Sequence, residues 1–193
     1  MARIHYNCLN GEVYKTFLQD ALKRSDGVVI TVCWPKDKFS YVQQHSLVDD
    51  GIWTEIEYLN YKNIAQQNWK QDKALFEKYT IPFLKKLEPF LKDDLFFDKN
   101  KTTYCLEACV EINDILLETG GINNWGSQLF PDDLCFINNG KYWFISENHE
   151  HTANLYPDDE SDFKFWEKIG VIFLDKFSYQ NDVKERPLFC QKA

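Results

Sequence analysis

The spacing of apolar residues changes rhythm twice in the first thirty-five positions. Residues 3–7 alternate as a short strand. Asn10 then stands where a helix cap belongs, and Val13, Phe17, Leu18, Ala21 and Leu22 recur at helical spacing. Ser25-Asp26-Gly27 ends that helix. Val28-Val29-Ile30-Thr31-Val32-Cys33 is unbroken and rich in β-branched residues, as a buried strand is, and Pro35 closes it. The opening therefore reads as β-α-β. Further on, Ile52, Thr54, Ile56 and Tyr58 alternate with Trp53, Glu55 and Glu57. With residues 39–48 they predict a hairpin around Asp49-Asp50-Gly51. From 61 to 94 the period turns helical again, through Ile64, Trp69, Leu75, Phe76, Leu84, Leu87 and Leu91. Pro82 and Pro89 divide this stretch into two helices.

The second half gives four more signals. Cys105, Cys109, Ile112 and Leu116 fall at i, i+4, i+7 and i+11, which predicts a helix over 103–119 stopped by Gly120-Gly121. On that helix Cys105 and Cys109 would be buried. Glu107, Glu111, Asp114 and Glu118 would share another face. Apolar runs at 134–137 and 141–145 flank Asn138-Asn139-Gly140, a strong hairpin signal. Residues 152–156 suit a strand. Pro157-Asp158-Asp159-Glu160 opens a helix carrying Phe163, Trp166 and Ile169, Gly170 ends it, and 171–177 form a last strand. These elements predict an α+β fold with a mixed, mainly antiparallel sheet and packed helices, in a single domain over residues 1–193.

Composition narrows the setting. No apolar run approaches the roughly 18 residues of a membrane span. The first residues, MARIHY, show no signal-peptide pattern, so a cytoplasmic location is expected. The six cysteines are scattered and are expected to be reduced, with Cys33 and Cys135 buried inside apolar strands. Aromatic residues are abundant, with six tryptophans; they fill cores, and Trp and Tyr also anchor interfaces.

Charge changes the picture more. Net charge is −8, but between Leu106 and Asp162 twelve acids face a single base, Lys141, while the remainder of the chain is slightly basic. The step falls near residues 93–101 (DDLFFDKNK), where such a chain would subdivide into an N-terminal half and an acidic C-terminal half. A field of this sign repels nucleic acid and anionic membrane and attracts a basic protein. The acids best placed to face a partner lie in turns and at element ends: Asp132, Asp133, Glu147, Glu150, Asp158, Asp159, Glu160 and Asp162. Trp125, Tyr142, Trp143 and Tyr156 lie near them as candidate anchors.

Catalytic signatures are sparse. GxxxxGK[ST], GxGxxG and GxSxG do not occur. The alternative to a binding protein is a small metal-dependent hydrolase. On a strand, Glu147, His149 and His151 would share one face and hold a metal. A polar strand end explains the same residues without one, so no metal, no cofactor and no catalytic residue is expected.

Residues 129–144, LFPDDLCFINNGKYWF, with the His-containing loop and acidic helix start that follow up to residue 172, resemble small acidic proteins encoded beside bacterial polymorphic toxins. Immunity proteins of contact-dependent growth inhibition are among them. The resemblance implies a non-catalytic inhibitor of one cognate toxin, often a nuclease with a basic active-site cleft.

Overall fold

A computed structural model describes residues 2–38, 40–41, 55–98, 100–126, 129–157 and 159–176. Eight strands form one sheet: β1 (Ala2–Ile4), β2 (Gly27–Cys33), β3 (Leu91–Asp98), β4 (Lys101–Glu107), β5 (Asp133–Asn138), β6 (Lys141–Glu147), β7 (Thr152–Leu155) and β8 (Phe173–Lys176). Their order is β3-β4-β2-β5-β6-β7-β1-β8, and every neighbouring pair is antiparallel. The helices are α1 (Gly11–Arg24), α2 (Glu55–Leu75), α3 (Ile81–Leu87), α4 (Asn113–Leu117) and α5 (Glu160–Lys168). The α+β class expected from the sequence is what the chain adopts. β1 and β2 run the same way, joined by α1, but β5, β6 and β7 lie between them.

Strand alternation separates two sheet faces. Val28 and Ile30 of β2, Leu134 and Phe136 of β5, Phe144 of β6 and Leu155 of β7 join the main core with Phe17 and Leu18 of α1, Phe83 of α3, Leu116 of α4 and Trp166 of α5. Val29, Cys105, Cys135 and Ile137 form a smaller cluster on the other face. In the main core Phe17 lies 4.8 Å from Phe144, and the rings of Trp143 and Trp166 stack 6.0 Å apart at 4°. Trp125 Nε1 and Thr119 Oγ1 each donate to Tyr14 Oη at 3.0 Å, which keeps three buried polar groups satisfied.

Several local signals act as read. Asn139 (φ 51°) and Gly140 (φ 70°) both take left-handed conformations, the pair a tight β5–β6 turn needs. Asp159 caps α5, its carboxylate accepting from the backbone N–H of Ser161 at 2.6 Å and of Asp162 at 3.3 Å. Asn10 holds the cap position of α1, but its side-chain amide donates to the Asn7 carbonyl, and its side-chain oxygen accepts no N–H from the helix.

Two expected elements are different. The helix over 103–119 is β4, a 3-10 turn at Val110–Ile112 and the short α4. Thr102, Thr103 and Tyr104 are strand formers, and β4 finds hydrogen-bonding partners on both sides in β2 and β3. Tertiary pairing thus overrides a helical spacing that Cys105 and Cys109 meet by coincidence. Cys105 is buried in the smaller cluster, whereas Cys109 is only half-buried. The four acids are no stripe: Glu107 ends β4, and Glu118 pairs with Lys86 at 2.6 Å.

The expected hairpin over 39–59 also fails where it is described, since residues 55–59 are the first turns of α2. Seven alternating residues are too few to resist a helix already forming downstream, because extending a helix costs far less than starting one. Residues 42–54 lie outside the described residues. Beyond α2 the helix loosens at Phe76–Thr80, where the Ile81 N–H reaches back five residues to the Phe76 carbonyl just before Pro82. Pro89 sits in a 3-10 turn, Glu88–Phe90. Residues 93–98 and 101 belong to the β3–β4 pair of the common sheet.

Candidate functional site

The antiparallel β5–β6 pair brings the first residue of β5 beside the last of β6, with Cys135 opposite Ile145. Asp132, Asp133, Glu147 and Glu150 therefore gather at one end of the sheet. Glu147 and Glu150 are exposed, and Asp132 and Asp133 half-buried. Asn148 knits this end together. Its backbone N–H donates to Asp133 Oδ1 at 3.0 Å, and its side-chain amide donates to the Asp132 carbonyl. Asn148 itself is buried, and its Oδ1 has no hydrogen-bond partner among the described residues. Gly126 (φ 70°) makes the fit possible, because a Cβ there would come within 2.7 Å of the Asn148 Cβ.

The remaining candidate acids lie elsewhere. β7 carries the chain to the opposite end before α5 begins, on the order of 20 Å away along strands of six residues. There Asp159 is committed to the helix cap. Asp162 is buried and ion-paired to Arg24, whose Nε also meets Asp20 at 2.6 Å. Glu160 is exposed, and Asp158 lies outside the described residues. The described acids of the eight thus fall into two groups at opposite ends of the sheet, each with two exposed members, Glu147 and Glu150 at one end and Asp159 and Glu160 at the other. Of the aromatic candidates, Trp125 and Trp143 are core residues, and Tyr142 and Tyr156 are half-buried.

The common strand face imagined for Glu147, His149 and His151 does not form. β6 ends at Glu147, residues 148–150 make a 3-10 turn, and His151 is left-handed (φ 51°) with its ring edge-on to Tyr6 at 5.8 Å. Only the backbone of His149 is described. Among the described residues no three His, Cys, Asp or Glu side chains come together as a metal site.

Beside the acidic end lies a cleft of about 340 Å³ that the sequence pattern did not reveal. Cys33 and Trp34 leave β2 on one side, Phe130, Pro131 and Asp132 enter β5 on another, and Trp69 and Asp72 of α2 with Phe76 just beyond it close the third. Tyr41 and Lys36 complete the wall. The Trp69 indole donates to the Lys36 carbonyl at 2.9 Å, and the Trp34 indole donates to Thr102 Oγ1 at 2.6 Å. Trp34 and Phe76 lie 5.4 Å apart. Two carboxylates face the space. Asp72 accepts from Tyr41 Oη at 2.6 Å, and Asp132 accepts from the Cys33 backbone N–H at 2.6 Å. The signal was present: Trp69, Asp72 and Phe76 stand at i, i+3 and i+7 of one helix face.

The cleft's electrostatics follow from this lining. Burial, then the charge of Asp132 and a hydrogen bond to it, push the Cys33 thiol up to about 11. Burial and the hydrogen bond to Asp72 push the Tyr41 phenol up to about 12. Each shift favours the neutral form, so Cys33 is a thiol at neutral pH, although it is exposed where the sequence placed it in the core. That makes it a poor nucleophile. The lining suits binding of a cation: aromatic faces attract one, and carboxylates hydrogen-bond to it. Among the described residues no helix is long and apolar enough to cross a membrane.

Comparison with protein-family models, with curated proteins and with solved structures yields no match.

Proposed function

We propose that the protein is a non-catalytic binding protein that docks a basic protein partner on the acidic end of its sheet, in the manner of an immunity protein blocking a nuclease-type toxin. The observation that carries this reading is the gathering of Asp132, Asp133, Glu147 and Glu150 beside an aromatic cleft holding Asp72, while Asp159 and Asp162 at the other end are engaged within the fold. A nuclease cleft is lined with Lys and Arg to hold phosphates, and clustered carboxylates occupy the same cationic positions. Opposed fields raise encounter rates by roughly 10 to 1000-fold, which suits an inhibitor that must act before free toxin does harm.

The test is binding of the full chain to the toxin domain encoded beside its gene, with association rate followed as salt is raised. A steep fall with salt is expected. Glu147→Lys with Glu150→Lys should slow association about tenfold, whereas Glu160→Lys at the far end should leave it unchanged. The absence of a basic domain encoded there, or equal rates for all three proteins, contradicts the reading.

A further inference from the structure

A separate groove lies at the end of the sheet where α1 finishes. Gln19, Leu22 and Lys23 of α1 form one wall, and Ala108, Cys109, Val110 and Asn113, between the end of β4 and the start of α4, form the other. It encloses about 430 Å³, and its lining residues and their chain neighbours are all described. Leu22, Ala108 and Val110 make it mainly apolar. One polar group in it has no use within the fold. Asn113 is only 8% exposed, and its Oδ1 has no hydrogen-bond partner among the described residues. Its Nδ2 donates to Asp114 Oδ1 at 3.2 Å, so the donor side of the amide is committed and the acceptor side is left over. We propose that this groove binds a small secondary amide with an aliphatic chain, whose N–H supplies the donor that Asn113 Oδ1 lacks.

Three features select that chemistry. A buried amide oxygen without a donor destabilises a fold, so chains rarely keep one, and a ligand N–H in the groove beside it removes the cost. Gln19 and Lys23 are exposed on the α1 wall, and neither side chain is hydrogen-bonded among the described residues, so both can donate to the ligand's own carbonyl. The charges favour a neutral ligand. Lys23 repels a cation, and Glu111, hydrogen-bonded to the Cys109 thiol, repels an anion. The volume lies in the lower part of the range for ligand pockets, and an apolar lining with a few placed polar groups is their usual make-up. The groove is distinct from the acidic end, and its occupant does not depend on the docking function.

The experiment follows, by mass spectrometry, the rate at which methyl methanethiosulfonate modifies Cys109 in the full chain, with exposed Cys33 as the internal control. The probes are N-isobutylacetamide and isobutyl acetate, which share a shape and differ in the N–H. The amide should protect Cys109 at a concentration about three- to tenfold lower than the ester needs, and neither should protect Cys33. Asn113→Leu, which keeps the side-chain volume, should make the two probes equivalent. If that variant fails to fold, the comparison of amide with ester on the unaltered chain decides by itself. No protection of Cys109, equal protection of both cysteines, equal potency of amide and ester, or a preference for the amide that survives Asn113→Leu overturns the assignment.

Discussion

The two ends of the central sheet use one set of side-chain types in opposite ways. At the end where α1 finishes, Arg24 is enclosed by Asp20, Asp162, Phe165 and Trp166, and Trp166 continues into the core through its stack on Trp143. At the other end Asp72 and Asp132 face an open cleft with Trp34, Trp69, Tyr41 and Phe76. The first arrangement satisfies its charges inside the chain and serves stability. Burial alone would lower the Arg24 guanidinium, but the hydrogen bond to Asp162 and the charges of Asp20 and Asp162 hold it above its ordinary value. The second places its carboxylates in the wall of a cleft. Carboxylates and rings therefore do not announce a binding site by themselves. What distinguishes the two arrangements is that Arg24 closes the first, whereas the second lines a cleft.

The comparison is broken most easily at its filled end. Trp166→Ala should cost about 3–5 kcal/mol, because it opens a cavity in the core and removes the ring under Arg24. Arg24→Met should cost about 2–3 kcal/mol. That is less than for a fully buried pair, because Arg24 remains a third exposed, while Asp162 is left buried without its partner. Chemical denaturation measures both. By contrast Asp72→Asn and Asp132→Asn should change stability by no more than about 0.5 kcal/mol, since each keeps an acceptor oxygen. A loss at the cleft as large as that at Arg24 would make the cleft a structural element and erase the distinction.

Titration sharpens the same contrast. Burial pushes the Tyr14 phenol up to about 12 from 10.0, against the hydrogen bonds from Thr119 and Trp125, and the Cys33 thiol rises to about 11 from 9.0. The folded chain therefore keeps protons that the unfolded chain releases. Stability from these groups is complete below about pH 8 and is lost as pH rises towards 12. Tyr14 alone accounts for roughly 2–3 kcal/mol of that loss. Arg24 stays charged throughout, so the cage is untouched while the core and the cleft weaken. Unfolding followed between pH 8 and pH 12 checks this, and Tyr14→Phe should flatten the upper part of the curve. A curve level to pH 12 contradicts it.

The smallest expected effect lies in solvent reach. Cys105 and Cys135 in the smaller apolar cluster should react with thiol reagents only after unfolding, and half-buried Cys109 should react sooner. Equal protection of Cys105 and Cys109 would restore the helix that the spacing suggested.

Signals carried by a few adjacent residues were legible in the sequence. Asn138-Asn139-Gly140 sets its turn by backbone conformation, and Asp159 caps α5 through Ser161 and Asp162, two and three residues on. Signals that depend on distant partners were not. Residues 101–107 match a helical spacing as well as a strand, and the choice is made by β2 and β3, sixty or more and about ten residues away. The site was half legible for the same reason. Counting charge found Asp132, Asp133, Glu147 and Glu150, but placed them with Asp159 and Asp162, which the course of β7 carries to the other end. Asp72 was invisible to that count because it lies among lysines, and only the fold sets its helix face beside Asp132.

The most direct measurement is the set of indole N–H signals of the full chain, followed by NMR as the basic partner domain is added. Trp34 and Trp69 line the cleft, Trp166 borders the filled cage, and Trp125 and Trp143 are buried, so the protein carries its own controls. The Trp34 and Trp69 signals should move with saturation while Trp125, Trp143 and Trp166 stay in place. Movement of Trp166 without Trp34 or Trp69, or no movement at all, would contradict docking at the acidic end.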